Sequence, residues 1–338
     1  MGRRKMPGFW ETAGRFLEHH LAEIRQVSPH TVEAYRASLN QYVDYLESQR
    51  GVRRRDVSFG HFGAEELSGF LEWMVARSLA PRTCNLRLAA VRSLLEYAAY
   101  DDPRLMPAYM AACGIDNVKV TRGPIEYFEP RQLEALLASP GKRRGSDRRN
   151  KAMLVFLYET AARVQEARMA KVSDLRLGSG TPYVTLRGKG GKYRNVPLTE
   201  KALAHLQAHL AEFHAPSPDP TTPLFYSEIH GQKHALSSDT FEKMIKRYSA
   251  GCEDRGVPMP PRPHCHMLRK TRAIDLYRVG MPLPHIQQLL GHESMSTTSG
   301  FYAFAMLDAI AEEMEKANAD AGEKAWVDPE IADKLLRL

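Results

Sequence analysis

Residues 181–199 read TPYVTLRGKGGKYRNVPLT, and they set the frame for everything around them. Two alternating runs flank Gly188-Lys189-Gly190-Gly191. A period of two sends successive side chains to opposite faces, and glycine supplies the positive φ of a tight turn. The segment is therefore expected to be a β-hairpin with Lys189 at its tip. It is the one strong β signal in the chain, so the expected fold is mainly α with a small β-hairpin or sheet.

Helical periodicity dominates on both sides. Downstream, Thr199 can cap a helix that turns Leu203, Leu206, Leu210 and Phe213 inward. Prolines 216, 218, 220 and 223 mark an exposed loop, followed by a helix carrying Phe241, Met244, Ile245 and Tyr248. A second proline-rich turn (Pro258, Pro260, Pro261, Pro263) precedes a helical remainder from His266 onward. Upstream, a long helix is expected from about Asn150 to Lys171, behind a basic loop running from Lys142-Arg143-Arg144 to Arg148-Arg149. A short helix holds Leu133, Leu136 and Leu137. In the first 115 residues, Trp10, Ala13, Leu17, Leu21 and Ile24 share one helical stripe. Ser28-Pro29 then caps a helix carrying Val32, Tyr35, Leu39, Tyr42, Val43 and Leu46. Two further helices carry Leu67, Phe70, Leu71 and Met74, and, after Ala80-Pro81, Leu88, Val91, Leu95 and Ala98. Residues 117–127 lack a stripe and contain Gly123-Pro124, which marks a linker. The expected organisation is a helical domain over 1–116, a linker at 117–127, a second domain over 128–310 and a tail over 311–338.

A length of 338 residues suits two domains. No apolar run approaches the roughly 18–20 residues of a membrane span. Four scattered cysteines (Cys84, Cys113, Cys252, Cys265) fit no disulfide framework and suit a reducing cytoplasm. Charge is unevenly divided. Residues 1–120 carry 16 basic against 14 acidic side chains, residues 121–300 carry 27 against 17, and residues 301–338 carry 4 against 9. The basic middle suits a polyanion; the acidic end suits protein.

Several familiar chemistries fail on spacing. Cys252, His264, Cys265 and His266 form no CxxC pair, and neighbours on one short segment cannot converge on one tetrahedral zinc. The Gly188–Gly191 run sits inside a hairpin rather than before a helix, so it is no nucleotide cradle. No acidic set suits two-metal phosphoryl chemistry. A basic constellation remains: Arg163 with Glu166 three residues on, Lys189, His266 and Arg269 one helical turn apart, His292, and Tyr302, the last tyrosine. Each has a bland reading. Arg163 and Glu166 would make a solvated helical ion pair worth a few tenths of a kcal/mol, and Lys189 would be an ordinary turn lysine.

In that order these residues resemble the tyrosine recombinase (phage integrase) family. Ser28-Pro-His-Thr-Val-Glu-Ala-Tyr35 is similar to the opening of its helical core-binding domain, and Thr160-Ala-Ala-Arg163-Val-Gln-Glu166 to its first arginine box. Gly188-Lys-Gly-Gly-Lys-Tyr-Arg-Asn-Val-Pro-Leu198 resembles the strand of its hairpin lysine. His266-Met-Leu-Arg-Lys-Thr271 and Leu290-Gly-His-Glu-Ser-Met-Ser-Thr-Thr298 resemble its second arginine box. Two departures stand out: Ala161 replaces the usual glycine, and Tyr302 lies one residue further from Thr297-Thr298 than is common.

The resemblance implies a helical core-binding domain and an α+β catalytic domain that clamp double-stranded DNA. It implies Arg163 and Arg269 on the non-bridging phosphate oxygens, Lys189 as general acid, His266 assisting proton transfer at the tyrosine, His292 on the phosphate, and Tyr302 as nucleophile. Glu166 would buttress Arg163. Further DNA contacts are expected from Arg53, Arg54, Arg143, Arg144, Arg148, Lys192 and Arg194. A 3′-phosphotyrosyl ester conserves bond energy, so neither cofactor nor metal is implied. Fewer than ten residues precede the first helix, which suits a simple enzyme without an arm-binding domain. Family members assemble as homotetramers on two DNA sites, and Met306, Ile310 and Met314 could pass an apolar stripe to a neighbour or pack in cis. The role implied is integration or excision of a mobile element, or resolution of replicon dimers; the added residue before Tyr302 favours the mobile element. A type IB topoisomerase-like relaxing enzyme and a non-catalytic DNA-binding regulator remain the alternatives.

Overall fold

The computed structural model describes residues 8–121, 125–178, 180–214, 216, 218–291 and 314–315, and at Lys189 the backbone only. The chain divides into two compact units, residues 1–123 and 124–338.

Among its described residues, the regular structure of the first unit is all helical. Its helices are α1 (Phe9–Gly14), which continues as π-helical turns over Arg15–Ile24, α2 (Pro29–Arg50), α3 (Ala64–Ala76), α4 (Pro81–Asp101) and α5 (Met106–Gly114). Ser28 caps α2 by accepting from the Thr31 amide, with Pro29 in the first turn. The core gathers Phe16, Tyr42, Leu46, Phe62, Phe70 and Leu95. One expectation needs correcting at the N-terminus. Trp10 and Ile24 face solvent, and the buried stripe is Phe9, Ala13, Phe16, Leu17 and Leu21. The wider π-helical turns shift the angular spacing that an α-helical stripe assumes. Residues 117 and 118 are held by this unit: Asn85 bonds both the amide and the carbonyl of Val118, and Arg92 reaches the Asn117 side chain.

The second unit contains α6 (Pro130–Ala138), α7 (Gly145–Glu159), α8 (Val164–Met169), β1 (Leu175–Arg176), β2 (Tyr183–Arg187), β3 (Tyr193–Pro197), α9 (Glu200–Phe213), β4 (Tyr226–Ile229), β5 (Gln232–Ala235), α10 (Ser238–Glu253), α11 (Cys265–Arg278) and α12 (Leu283–Leu290). Its centre is α7, where Met153, Leu154, Val155, Phe156 and Leu157 are all buried. A helix apolar on every side has to be surrounded. The hairpin forms as expected, antiparallel, with Val184 opposite Val196 and Leu186 opposite Arg194. Gly190 and Gly191 take φ of 71° and 74° at its tip.

Four features differ from the sequence reading. A third strand, β1, extends the hairpin into an antiparallel sheet of order β1-β2-β3. A second hairpin, β4-β5, turns through His230 and Gly231, both at positive φ. The long helix expected over 150–171 is broken: α7 ends at Glu159, Ala161 adopts φ +49°, and α8 begins at Val164. Arg148 and Arg149 belong to α7 rather than to a loop.

Candidate active site

The break between α7 and α8 builds the site. Because Ala161 turns the chain, Arg163 has extended backbone (φ −69°, ψ 151°) and stands at the N-cap of α8 instead of on a helix face. Its amide donates to Glu166 Oε2 at 2.7 Å, and its Nη1 donates to Glu166 Oε1 at 2.8 Å. Glu166 is only 3% exposed. The solvated helical pair is thus replaced by a buried carboxylate locking the loop that presents Arg163, whose own side chain stays 35% exposed. Burial alone would push the Glu166 carboxyl up. The hydrogen bonds and charge of Arg194, and then those of Arg163, outweigh burial and hold it below the ordinary value.

Arg269 rises from the middle of α11 and is 1% exposed. Its Nη1 donates to the Ala161 carbonyl at 2.7 Å and its Nη2 to the Leu290 carbonyl. The positive φ of Ala161 is what aims that carbonyl at Arg269. Arg163 Nη2 reaches the Gly291 carbonyl at 3.4 Å, so both arginines meet the C-terminal end of α12. Guanidiniums at a helix C-terminus satisfy orphan carbonyls and oppose the negative end of the dipole.

His266 lies in the first turn of α11. Although exposed, its imidazole loses hydration to the surrounding protein. This loss, followed by the charges of Arg269, Lys270, His264 and Arg163, pushes it down to about 4. The helix N-terminus acts in the same direction. The ring is neutral at pH 7 and able to accept a proton. Lys189 belongs to the hairpin tip, Lys189–Gly191. His292 and Tyr302 lie outside the described residues.

The residues expected to touch DNA divide into two groups. Arg143, Arg144 and Lys192 are exposed. Arg53 pairs with Asp56 at 2.6 Å, Arg54 pairs with Asp44, and Arg148 donates to Glu212 at 2.6 Å and to the Lys142 and Arg143 carbonyls. Arg194 is also engaged within the protein. Its side chain is 10% exposed and is held by Glu166 and the Leu289 carbonyl. The alternation of β3 carried this signal, since Arg194 shares the inward face with Val196, and a buried guanidinium demands a carboxylate.

The phage integrase family profile matches residues 126–306, and that of the phage integrase N-terminal SAM-like domain matches residues 15–101. The putative integrase/recombinase y4rC of Sinorhizobium fredii is 29% identical over 95% of this chain and 94% of its own length. The tyrosine recombinase XerC of a Roseiflexus species is 31% identical over 82% of this chain and 85% of its own. Among solved structures, the Tn1549 transposon integrase in complex with a circular intermediate DNA shares the fold with TM-score 0.66 at 17% identity, over 90% of this chain and 99% of that one. XerH bound to difH does so with TM-score 0.64 at 21% identity, over 88% and 84%. With a catalytic-family profile spanning more than half its length and a relative of this identity across most of both chains, the protein belongs to the phage integrase family and is a tyrosine recombinase.

Proposed function

We propose that this protein is a site-specific recombinase that breaks and rejoins DNA strands through Tyr302, moving a mobile element. One observation carries the chemistry: Arg163 and Arg269, widely separated in sequence, converge on the C-terminal end of α12, the helix after which His292 and Tyr302 follow.

A phosphodiester resists attack because its transition state gathers negative charge on the non-bridging oxygens. Arg163 offers forked donors to that charge. Arg269, held by two carbonyls in a buried setting, adds a fixed positive field that needs no reorganisation. Tyr302 Oη attacks phosphorus, and the bond from phosphorus to the 5′-oxygen breaks. The phenol, with an ordinary pKa of about 10, must shed its proton. Neutral His266 accepts it, and the bound phosphate raises the basicity of the ring at that moment. Lys189 protonates the leaving 5′-oxygen. The 3′-phosphotyrosyl ester is then attacked by the 5′-hydroxyl of a partner strand, which restores Tyr302. His292 steadies the phosphate. The exposed Arg143, Arg144 and Lys192 supply contacts to the DNA backbone.

Exchange between two DNA sites calls for four active sites, so the working form is a homotetramer acting on chromosomal DNA in the cytoplasm. Met314, helical and 60% exposed, supports a tail that packs against a neighbouring protomer. Covalent protein–DNA adducts trapped in cells and sequenced test the function. The proposal expects adducts on one or two sequences, and none with Tyr302→Phe. Adducts spread over the genome favour relaxation of supercoils. Unaltered biological activity of Tyr302→Phe would mark the protein as a non-catalytic regulator.

A further inference from the structure

Glu166 holds more than Arg163 requires. Its carboxylate accepts from the Arg163 amide, from Arg163 Nη1, and from Arg194 Nη1 and Nη2, both at 2.7 Å. Two carboxylate oxygens offer about four acceptor positions, and all four are engaged. Arg194 comes from β3, four residues after Gly190 of the hairpin tip, and its Nε donates to the Leu289 carbonyl at 2.8 Å.

The charge count matters more than the bond count. Arg163 and Glu166 alone would be a neutral pair, and a neutral pair attracts a phosphodiester weakly. With Arg194 the triad carries a net positive charge, in a setting where Glu166 is 3% exposed and water screens poorly. Arg194 thus offsets the carboxylate that orients Arg163, leaving the guanidinium of Arg163 oriented and still electrostatically positive.

The second consequence is mechanical. Leu289, Leu290 and Gly291 present successive carbonyls at the end of α12, taken by Arg194, Arg269 and Arg163 respectively. Gly291 stands at φ +61°, and a Cβ there would lie 3.1 Å from Arg194 Cδ. Glycine is needed both for the turn and for the passage of this arginine. Lysine cannot replace it, because one ammonium cannot make a bidentate pair and a third bond to a carbonyl in the same plane.

We propose that Arg194 is a positioning residue for strand cleavage, which restores positive charge to the Arg163–Glu166 pair and fixes that pair to the end of α12. The proposal rests on the tyrosine recombinase reading of the site. Arg194 acts through Arg163 and touches no DNA.

The test uses the full chain and a nicked substrate carrying the site recovered from trapped adducts, with adduct formation and DNA affinity measured separately. Arg194→Gln is expected to form adduct about 100-fold more slowly while binding within about threefold of wild type. Glu166→Gln with Arg194→Gln is expected to be roughly tenfold faster than Arg194→Gln alone, because losing the carboxylate returns the charge of Arg163. A purely structural role predicts a double variant no faster than the single. Should Arg194→Gln fail to fold, Arg194→Lys keeps the charge and is expected at an intermediate rate. Wild-type cleavage by Arg194→Gln or Arg194→Lys, or a folded double variant no faster than the single, overturns the proposal. A wild-type chain that forms no adduct removes the recombinase reading instead, and the proposal falls with it.

Discussion

Ala161 carries a conformational cost at the heart of the site: it is fully buried at φ +49°, a region where an L-residue pays roughly 1–2 kcal/mol. The return is a carbonyl aimed at Arg269. Ala161→Gly relieves the backbone but loses a buried methyl and gains unfolded-state entropy, so its stability is expected within about 1 kcal/mol of wild type. Ala161→Val adds β-branching at positive φ in a packed cluster and is expected to cost about 2–3 kcal/mol; urea unfolding of both variants checks the pair. Glu166→Gln breaks a buried ion pair and is expected to cost about 3–5 kcal/mol by the same measurement. At this scale the sequence was partly legible. Residue type and order single out Arg163, Glu166 and Arg269, and the fold pairs Arg163 with Glu166 and brings both arginines to the end of α12. The burial of Arg194 is harder to read, because a basic residue on a hairpin resembles a solvated one, although the alternation with Val196 turns it inward.

The break between α7 and α8 is marked by no glycine or proline in residues 150–171, and locally only by Glu166 three residues after Arg163. One tertiary contact and one local cap impose it: Arg269 takes the Ala161 carbonyl, and Glu166, three residues on, takes the Arg163 amide that a continuous helix would have used internally. The β4-β5 hairpin was missed for the opposite reason. Both its strands are largely exposed, so no apolar alternation marks them, and only His230-Gly231 hints at the turn. The hairpin at 183–197, α2 with its Ser28-Pro29 start, and α9 with its Thr199 cap were legible because capping and core periodicity agree there. The end of α12 supplies the prediction for this scale. Gly291→Ala forces an L-residue to φ +61° against Arg194, and is expected to cost about 1–2 kcal/mol. Adduct formation is expected to slow with DNA affinity retained, as melting, cleavage and gel-shift measurements would check.

Across the whole molecule, buried titratable groups set an acid limit. His209 and His214 are buried, and the neutral rings donate Nε2–H to one carbonyl, that of Leu224, at 2.9 and 3.1 Å. Burial pushes His209 down to about 4 and lowers His214 as well. The unfolded chain takes up these protons near pH 6.5, folded His209 only near pH 4 and folded His214 at lower pH than when unfolded, so stability falls as pH drops below about 6.5. Glu166, depressed when folded, adds a loss in the same direction at still lower pH. Urea midpoints are therefore expected to decline steadily from pH 7 to pH 5, and His209→Gln to flatten that slope. The basic excess of residues 121–300 is visible from composition, whereas the carboxylates that occupy Arg54 and Arg148 are not, because those pairs join residues distant in sequence. The central claim concerns one covalent bond. After reaction of the purified chain with a labelled nicked substrate, proteolysis and mass spectrometry identify the residue that carries the nucleotide. A 3′-phosphonucleotide on Tyr302 is the predicted result; attachment to another residue, or tight binding to the recovered site with no covalent bond, would contradict the account.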